Sequence, residues 1–225
     1  MSAGKLLGVV AVAVSVVAGI GAAGSDVADA IERGDLVAAR ALIQKRADVN
    51  AAQSDGATAL HWAVYRNSVE AVDLLVTAGA KSAANREGMT PLAMAALYGN
   101  PAIVDRLLKA GADAKALGPN GESMVMFAAR NGNPEGIRLL VEAGANVNAR
   151  EPLRGTTALM WAVEQRHPEA VAALLKAGAD PAARSGGAGL PPRSGMGRRG
   201  QGRSSLPQSS PSRKDSVKTR GVRIA

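Results

Sequence analysis

The residue types that most often carry out chemistry are sparse in this sequence. It has two histidines, His61 and His167, and no cysteine. With no thiolate and no third histidine, the usual ligand spacings of a zinc site cannot be assembled. Gly4-Lys5 lacks the upstream glycine and the following hydroxyl of a phosphate-binding loop. We therefore expect no metal, no cofactor and no enzymatic activity.

A second set of residues is large, mostly aromatic and regularly spaced. Three of its four members belong to the five aromatic residues of the chain. An exposed ladder that stacks on a ligand is one interpretation. The other, which we favour, is a buried row between neighbouring helices, because many alanines nearby fill little volume. The row consists of Trp62, Met94, Phe127 and Trp161.

The row belongs to a longer segment that occurs four times. Each copy begins at Thr or Ser and reaches a glycine 21 residues later, and successive copies start 32, 33 and 34 residues apart. A period near 33 residues indicates an array of stacked units. The copies span residues 58–79, 90–111, 123–144 and 157–178.

Each copy predicts two short helices joined by a turn. Its opening Thr or Ser can cap the first helix, and dipeptides such as Asn100-Pro101 can start the second. The closing glycine accepts the left-handed conformation that ends a helix. We expect the first helices to stop at Asn67, Gly99, Gly132 and Arg166, with strain or a different turn at the arginine.

This segment resembles the ankyrin repeat. The family's T-P-L-H-x-A-A opening, V-x-x-L-L helix and closing G-A-D-x-N are matched, for example, by Thr58, Leu60-His61 and Ala63. A weaker unit at residues 26–50 has Arg46 where the closing glycine belongs. The resemblance implies an all-α solenoid of helix-turn-helix units with β-hairpin-like connecting loops. We expect five repeats, at 25–53, 54–85, 86–117, 118–150 and 151–184.

The resemblance also implies a function and a binding surface. It implies a non-catalytic protein-protein interaction module, whose concave face is built from hairpin tips and first helices. It implies that His61 braces neighbouring turns through hydrogen bonds. Tyr and Arg, the types favoured at interface hot spots, occur on that face. The candidate partner-binding residues are Ala57, Tyr65, Arg66, Met89, Leu97, Tyr98, Glu122, Arg130, Asn131, Glu164 and Gln165, with Thr156 at the last hairpin position.

The first 24 residues have the layout of a secretory signal peptide. One charge, Lys5, precedes an apolar run at residues 6–20, and small residues follow it. We expect cleavage after Ala23 or Gly24 and a periplasmic or secreted protein. The alternative is an uncleaved single-pass inner-membrane anchor, because residues 6–23 are just long enough to span a bilayer.

The excess positive charge of the chain is concentrated in residues 185–225. The formal net charge is +8, and the nine bases beyond Arg184 are accompanied by one acid, Asp215. Because this Gly-, Ser-, Pro- and Arg-rich stretch has no aromatic residue, we expect residues 185–225 to be a disordered tail. It is open to three interpretations: a contact with anionic lipid or nucleic acid, a solvated extension, or the product of a shifted reading frame.

The last interpretation is motivated by the fifth repeat. No polar capping repeat follows it, so we expect Val171, Leu174 and Leu175 to lack a neighbour. For the protein as a whole we expect a monomer with a protein partner, and neither a small-molecule substrate nor nucleic acid. The alternative functions are an auxiliary subunit of an exported enzyme and a membrane-anchored protein whose basic tail contacts anionic lipid or nucleic acid.

Overall fold

A computed structural model describes residues 25–186 of the chain. The expected signal peptide, residues 1–24, and residues 187–225 of the expected tail lie outside this range, and the repeat boundaries stay a prediction. The described part is all-α, as predicted. Its helices are α1 Asp26–Arg33, α2 Leu36–Gln44, α3 Ala59–Tyr65, α4 Val69–Thr77, α5 Pro91–Tyr98, α6 Pro101–Lys109, α7 Met124–Asn131, α8 Pro134–Glu142, α9 Ala158–Glu164 and α10 Pro168–Lys176.

The helices form two layers. Each odd-numbered helix contacts the next odd-numbered helix. The even-numbered helices from α4 to α10 contact one another in the same way, and each odd-numbered helix also packs against the helix that follows it. The core lies between the layers, where the second helices α4, α6, α8 and α10 each bury a leucine: Leu75, Leu107, Leu140 and Leu174. No helix in the described part of the chain is long and apolar enough to cross a membrane.

The predicted caps are in place at both helices of a repeat. The Thr90 hydroxyl accepts a hydrogen bond from the Ala93 N–H at 3.1 Å, and Ser123 accepts one from Met126 at 3.3 Å. At the second helices, Asn133 accepts from the Gly136 N–H at 2.9 Å. These bonds satisfy donors that the first helical turn leaves unpaired, so α5, α7 and α8 start at the caps that the sequence predicts.

The turns that end the helices are left-handed, with or without glycine. Gly99 and Gly111 have φ of 78° and 88°, respectively. Arg46, in place of a closing glycine, has φ of 62°, and Arg166 has φ of 60°. Arg166 therefore keeps the turn of the other repeats, and of the two expected outcomes the strained one is observed.

Asparagines tie some repeats to the next one. The Asn148 amide donates to the Gly178 carbonyl oxygen at 3.0 Å, and its oxygen accepts from the Asp180 N–H at 2.8 Å. Asn50 makes the same pair of bonds to Gly79 and Lys81, at 3.3 and 2.7 Å. The corresponding position of the second repeat, four residues after Gly79, holds Ala83, whose side chain cannot make them.

The outer side of the last helix pair differs from its counterparts in earlier repeats. Val64, Ala96 and Ala129 are buried, whereas Val163 at the same place is 59% exposed. Leu175 is 46% exposed and Val171 is half-buried. The prediction that all three apolar residues of α10 lack a neighbour is wrong for Leu174, because α10 turns this side chain inward toward the core.

Replacing Arg166 by glycine should stabilise the protein. Glycine removes the Cβ that makes the left-handed turn costly, so the free energy of unfolding should rise by about 1 kcal/mol. Urea denaturation followed by circular dichroism measures it. Gly111→Val is the converse variant and should lower the value by at least about 1 kcal/mol. An unchanged midpoint for both variants would contradict the role given to these turns.

Introducing asparagine at Ala83 should extend the asparagine bonds to a third junction. The new amide is placed to reach the Gly111 carbonyl oxygen and the Asp113 N–H, and a net gain of about 1 kcal/mol is expected. Asn148→Ala is the matched variant and should lose about as much. A thermal melt of both proteins tests this, and a gain at Ala83→Ser equal to that at Ala83→Asn would refute the geometry.

Candidate functional site

The candidate site is the surface made by the first helices and the hairpin tips that precede them, here called the first-helix face. Successive repeats place equivalent side chains next to one another on it. Because residues three apart lie on one side of a helix, two rows result. One row is Asp29, Trp62, Met94, Phe127 and Trp161; the other is Glu32, Tyr65, Leu97, Arg130 and Glu164.

The structure separates the candidate residues by burial. Met89, Leu97, Glu122 and Thr156 are half-buried. Ala57 is buried, with 6% of its surface exposed, so its side chain offers no contact to a partner. The remaining candidates of the predicted set lie at the surface: Tyr65, Arg66, Tyr98, Arg130, Asn131, Glu164 and Gln165.

The aromatic row is a core row only at one end. Phe127 and Trp161 are buried, as expected for a row between helices. Trp62 and Met94 are half-buried. The interpretation as a buried row therefore holds for Phe127 and Trp161. It fails in part for Trp62 and Met94, which stay partly accessible.

Three aromatic rings meet at the accessible end. The Trp62 and Tyr65 ring centroids are 5.7 Å apart at an interplanar angle of 88°. Tyr65 and Tyr98 are 6.2 Å apart at 69°. Both pairs are edge-to-face, the geometry that aromatic quadrupoles favour. Trp62, Tyr65 and Tyr98 are called the aromatic cluster below.

A hydrogen-bond network that the sequence did not predict borders the aromatic cluster. The Trp62 indole N–H donates to the Gln53 side-chain oxygen at 2.6 Å. The Gln53 amide nitrogen donates to Asp29 at 2.7 Å and to Glu32 at 2.8 Å. The sequence held one indication of this network. In the first unit Asp29 and Glu32 occupy the positions that Trp62 and Tyr65 occupy in the next unit, so the two pairs are expected to be neighbours.

Some exposed candidates also have a scaffold role. The Arg66 guanidinium donates to the Glu32 carbonyl oxygen of the preceding turn at 3.0 Å. The Asn131 side chain packs so closely against Gly99 that a Cβ there would lie 2.0 Å from its oxygen. His167 makes a comparable bond to the Arg130 carbonyl oxygen at 3.2 Å, which sequence reasoning missed.

His61 braces two repeats, as the resemblance implied. Its Nδ1 accepts from the Thr58 N–H at 3.1 Å, and its Nε2 lies 3.0 Å from the Met89 carbonyl oxygen in the next hairpin. Burial lowers the pKa of His61, although the bond to Met89 and the charge of Asp55 act in the opposite direction. The neutral ring that results can accept at Nδ1 and donate at Nε2, as both bonds require.

Glu151 is a buried carboxylate in the last hairpin. It accepts from the N–H groups of Leu153 and Arg154 at 2.7 and 3.0 Å, and from the Thr156 N–H and hydroxyl at 3.1 and 2.8 Å. Trp161 donates in turn to the Thr156 hydroxyl at 2.8 Å. The network holds the hairpin against α9.

Hydrogen bonds decide the ionisation of Glu151. Burial alone would raise the pKa of its carboxyl, but the donors of Thr156, Arg154 and Leu153 together lower the pKa to about 2. Glu122, in the preceding hairpin, shows the same balance: burial opposes ionisation, while bonds from Asn120 and its own backbone lower its pKa. Both carboxylates accept hydrogen bonds from residues of their own hairpins.

No convergent reactive site is present in residues 25–186. This part contains no cluster of His, Asp or Glu that could hold a metal ion. A shallow groove between α8 and α10 includes Arg138, but its guanidinium is bound by Glu135 and Glu142, which raise its pKa. The titratable groups described here are bound to neighbouring groups of the scaffold.

The geometry defines a helical-repeat solenoid with an exposed first-helix face. A family model for ankyrin repeats, described as three copies, matches residues 27–117 and 94–185. These matches cover more than half of the sequence, and the chain belongs to the ankyrin repeat family. Ankyrin repeats are generally protein-protein interaction modules. A comparison with curated proteins finds no match.

Glu151→Gln should destabilise the protein at neutral pH. The substitution turns an amide group toward N–H donors, so the free energy of unfolding should fall by about 1–3 kcal/mol. Because the folded pKa is about 2 and the ordinary value is 4.5, the carboxylate stabilises the fold fully above about pH 4.5. Its contribution is lost as the pH falls toward 2.

Melting temperatures of the parent and the variant between pH 7 and pH 2 measure this difference. The two should converge on acidification. Glu87→Gln, at an exposed hairpin tip, is the control and should melt like the parent at every pH. A difference between parent and Glu151→Gln that stays constant down to pH 2 would show that ionisation is not the cause.

Proposed function

We propose that the chain is a non-catalytic protein-binding module whose partner docks on the first-helix face. The family supports binding in general; the choice of face rests on the aromatic cluster. Tyr65 and Tyr98 are 60% and 47% exposed. The chain has only five aromatic residues, and two of them are therefore at the surface and not in the core. Exposed aromatic side chains on a rigid scaffold are typical anchors of an interface.

The opposite layer supports the choice by contrast. Charged residues of the second helices bind one another: Arg40 with Glu70, Asp73 with Arg106 at 2.5 Å, and Asp105 with Lys109 at 2.7 Å. A partner on this surface would have to replace or desolvate pairs that are already formed. On the first-helix face, the exposed rings of Tyr65 and Tyr98 can be covered without breaking an ion pair.

The candidate residues fall into two roles under this proposal. Tyr65 and Tyr98 are available to a partner with little structural cost. Arg66 and Asn131 both contact the preceding turn, so their substitution would disturb the scaffold as well as the surface. Arg130, Glu164 and Gln165 extend the same face toward the last repeat and would set specificity through charge.

The roles of the buried titratable residues support a non-catalytic module. His61 uses both ring nitrogens in bonds to its cap residue and to the next hairpin, and Glu151 accepts bonds from three residues of its own hairpin. A general acid or base must exchange a proton with a substrate within hydrogen-bond reach. Neither residue is free to do so without opening its repeat.

Substituting Tyr65 and Tyr98 by alanine should abolish partner binding and preserve the fold. Two interface aromatics typically contribute enough for a drop in affinity of about a hundredfold or more. The full chain and the double variant serve as bait in the native host's extract, with capture measured by quantitative mass spectrometry. Affinity for the recovered partner is then measured directly, and far-UV circular dichroism checks the helices.

Val37→Ala with Leu175→Ala is the matched control, because both side chains are exposed and lie on second helices, away from the first-helix face. It should bind like the parent. Equal affinity of the parent and the tyrosine double variant would refute the first-helix face as the binding surface. A recovered partner with enzymatic activity would identify the module as an auxiliary subunit.

A further inference from the structure

The first-helix face changes chemistry between its first two helices. On α1 the two rows carry carboxylates, Asp29 and Glu32, and on α3 the same positions carry Trp62 and Tyr65. Gln53 joins the two halves, since it binds both carboxylates through its nitrogen and the indole through its oxygen. Negative charge and aromatic surface are therefore held side by side.

We propose that this junction is a subsite for an arginine side chain of the protein partner. The subsite consists of the aromatic cluster together with Asp29 and Glu32. The inference rests on the proposed function, because it names the chemistry of the group that the first-helix face receives. A guanidinium is the side chain that both halves attract: it stacks on aromatic rings and pairs with carboxylates.

The aromatic half is suited to a cation by its geometry. The faces of Trp and Tyr rings carry negative potential, and a cation within about 6 Å of a ring centroid is attracted to it. Edge-to-face contacts hold Tyr65 between Trp62 and Tyr98, and more than half of Tyr65 stays exposed. The rings are therefore oriented before a partner arrives, which lowers the cost of ordering them.

The carboxylate half has no basic partner in the part of the chain that the structure describes. Gln53 is a neutral amide, so its bonds orient Asp29 and Glu32 without neutralising them. Within residues 25–186, neither carboxylate lies within salt-bridge distance of a basic group. Arg66 is the nearest basic residue to the cluster in sequence, and it is bound to the Glu32 carbonyl oxygen and packs against Gly34.

Charge complementarity selects this occupant over others. An acidic partner segment would meet two carboxylates and the electron-rich faces of the rings. A purely apolar segment would use the rings and leave both carboxylates desolvated beside it. A guanidinium is planar, more weakly hydrated than an ammonium and able to donate to two carboxylates at once, so arginine is favoured over lysine.

The two tryptophans of the chain allow a direct test. Trp62 lies in the subsite, whereas Trp161 is buried in the last repeat and serves as an internal control. Their indole N–H signals in the 15N-labelled full chain are assigned with Trp62→Phe. The probe is a capped pentapeptide with one arginine among glycines, and the reference is the same peptide with neutral citrulline in place of arginine.

The Trp62 signal should shift and saturate with the arginine peptide, while the Trp161 signal stays in place. The citrulline peptide should bind at least about fivefold more weakly, because it keeps the shape and loses the charge. The double variant Asp29→Asn with Glu32→Gln retains acceptors for Gln53 and should also weaken arginine binding about fivefold. Glu142→Gln with Glu169→Gln removes the same charge from two second helices and should bind like the parent.

Equal shifts from the arginine and citrulline peptides would overturn the proposal, as would a Trp62 signal unmoved at tens of millimolar peptide. Failure of the subsite is distinguishable from failure of the binding face. If the tyrosine double variant loses the captured partner while the variant of Asp29 and Glu32 keeps it with parental affinity, the first-helix face stands and the arginine subsite falls.

Discussion

The structure depends on one constraint: a pair of short helices cannot bury both of its sides alone. Each second helix from α4 onward buries a leucine, while Val64, Ala96 and Ala129 are buried on first helices that the first helix of the next repeat contacts. Stability in such an array is shared between units and the junctions that join them. Val163 occupies the same position on α9, the last first helix that the structure describes, and it is largely exposed.

Because stacking is the source of stability, the polar groups at the junctions set the register rather than the fold. His61 reaches the hairpin of the next repeat, Asn148 reaches the turn after α10, and Arg66 reaches back to the turn after α1. Each bond joins a side chain to a backbone group whose position is determined by a helix end. The consequence is a rigid face on which Tyr65 and Tyr98 can stay exposed without a supporting role.

Sequence predicted what depends on local chemistry. The caps at Thr90 and Ser123 and the left-handed turn at Gly111 follow from residues within a few positions of one another. Sequence reasoning did not find the bonds of Gln53 or the donors around Glu151, because these depend on how a hairpin tip folds over the helices beside it. The misjudged burial of Leu174 has a related cause: periodicity shows that a residue is on an apolar stripe, but only packing shows which neighbour covers it.

The hairpins determine how one helix position becomes either core or surface. Trp62 and Trp161 occupy the same place in their repeats, and both donate an indole N–H to a hairpin residue. At Trp161 the acceptor is Thr156, which is itself bound to the buried Glu151, and the ring is enclosed. At Trp62 the acceptor is Gln53, whose other bonds lead outward to two surface carboxylates, and the ring stays half-buried. The scaffold position is therefore constant, and the polar residue of the adjoining hairpin accompanies the difference between an enclosed side chain and an accessible one.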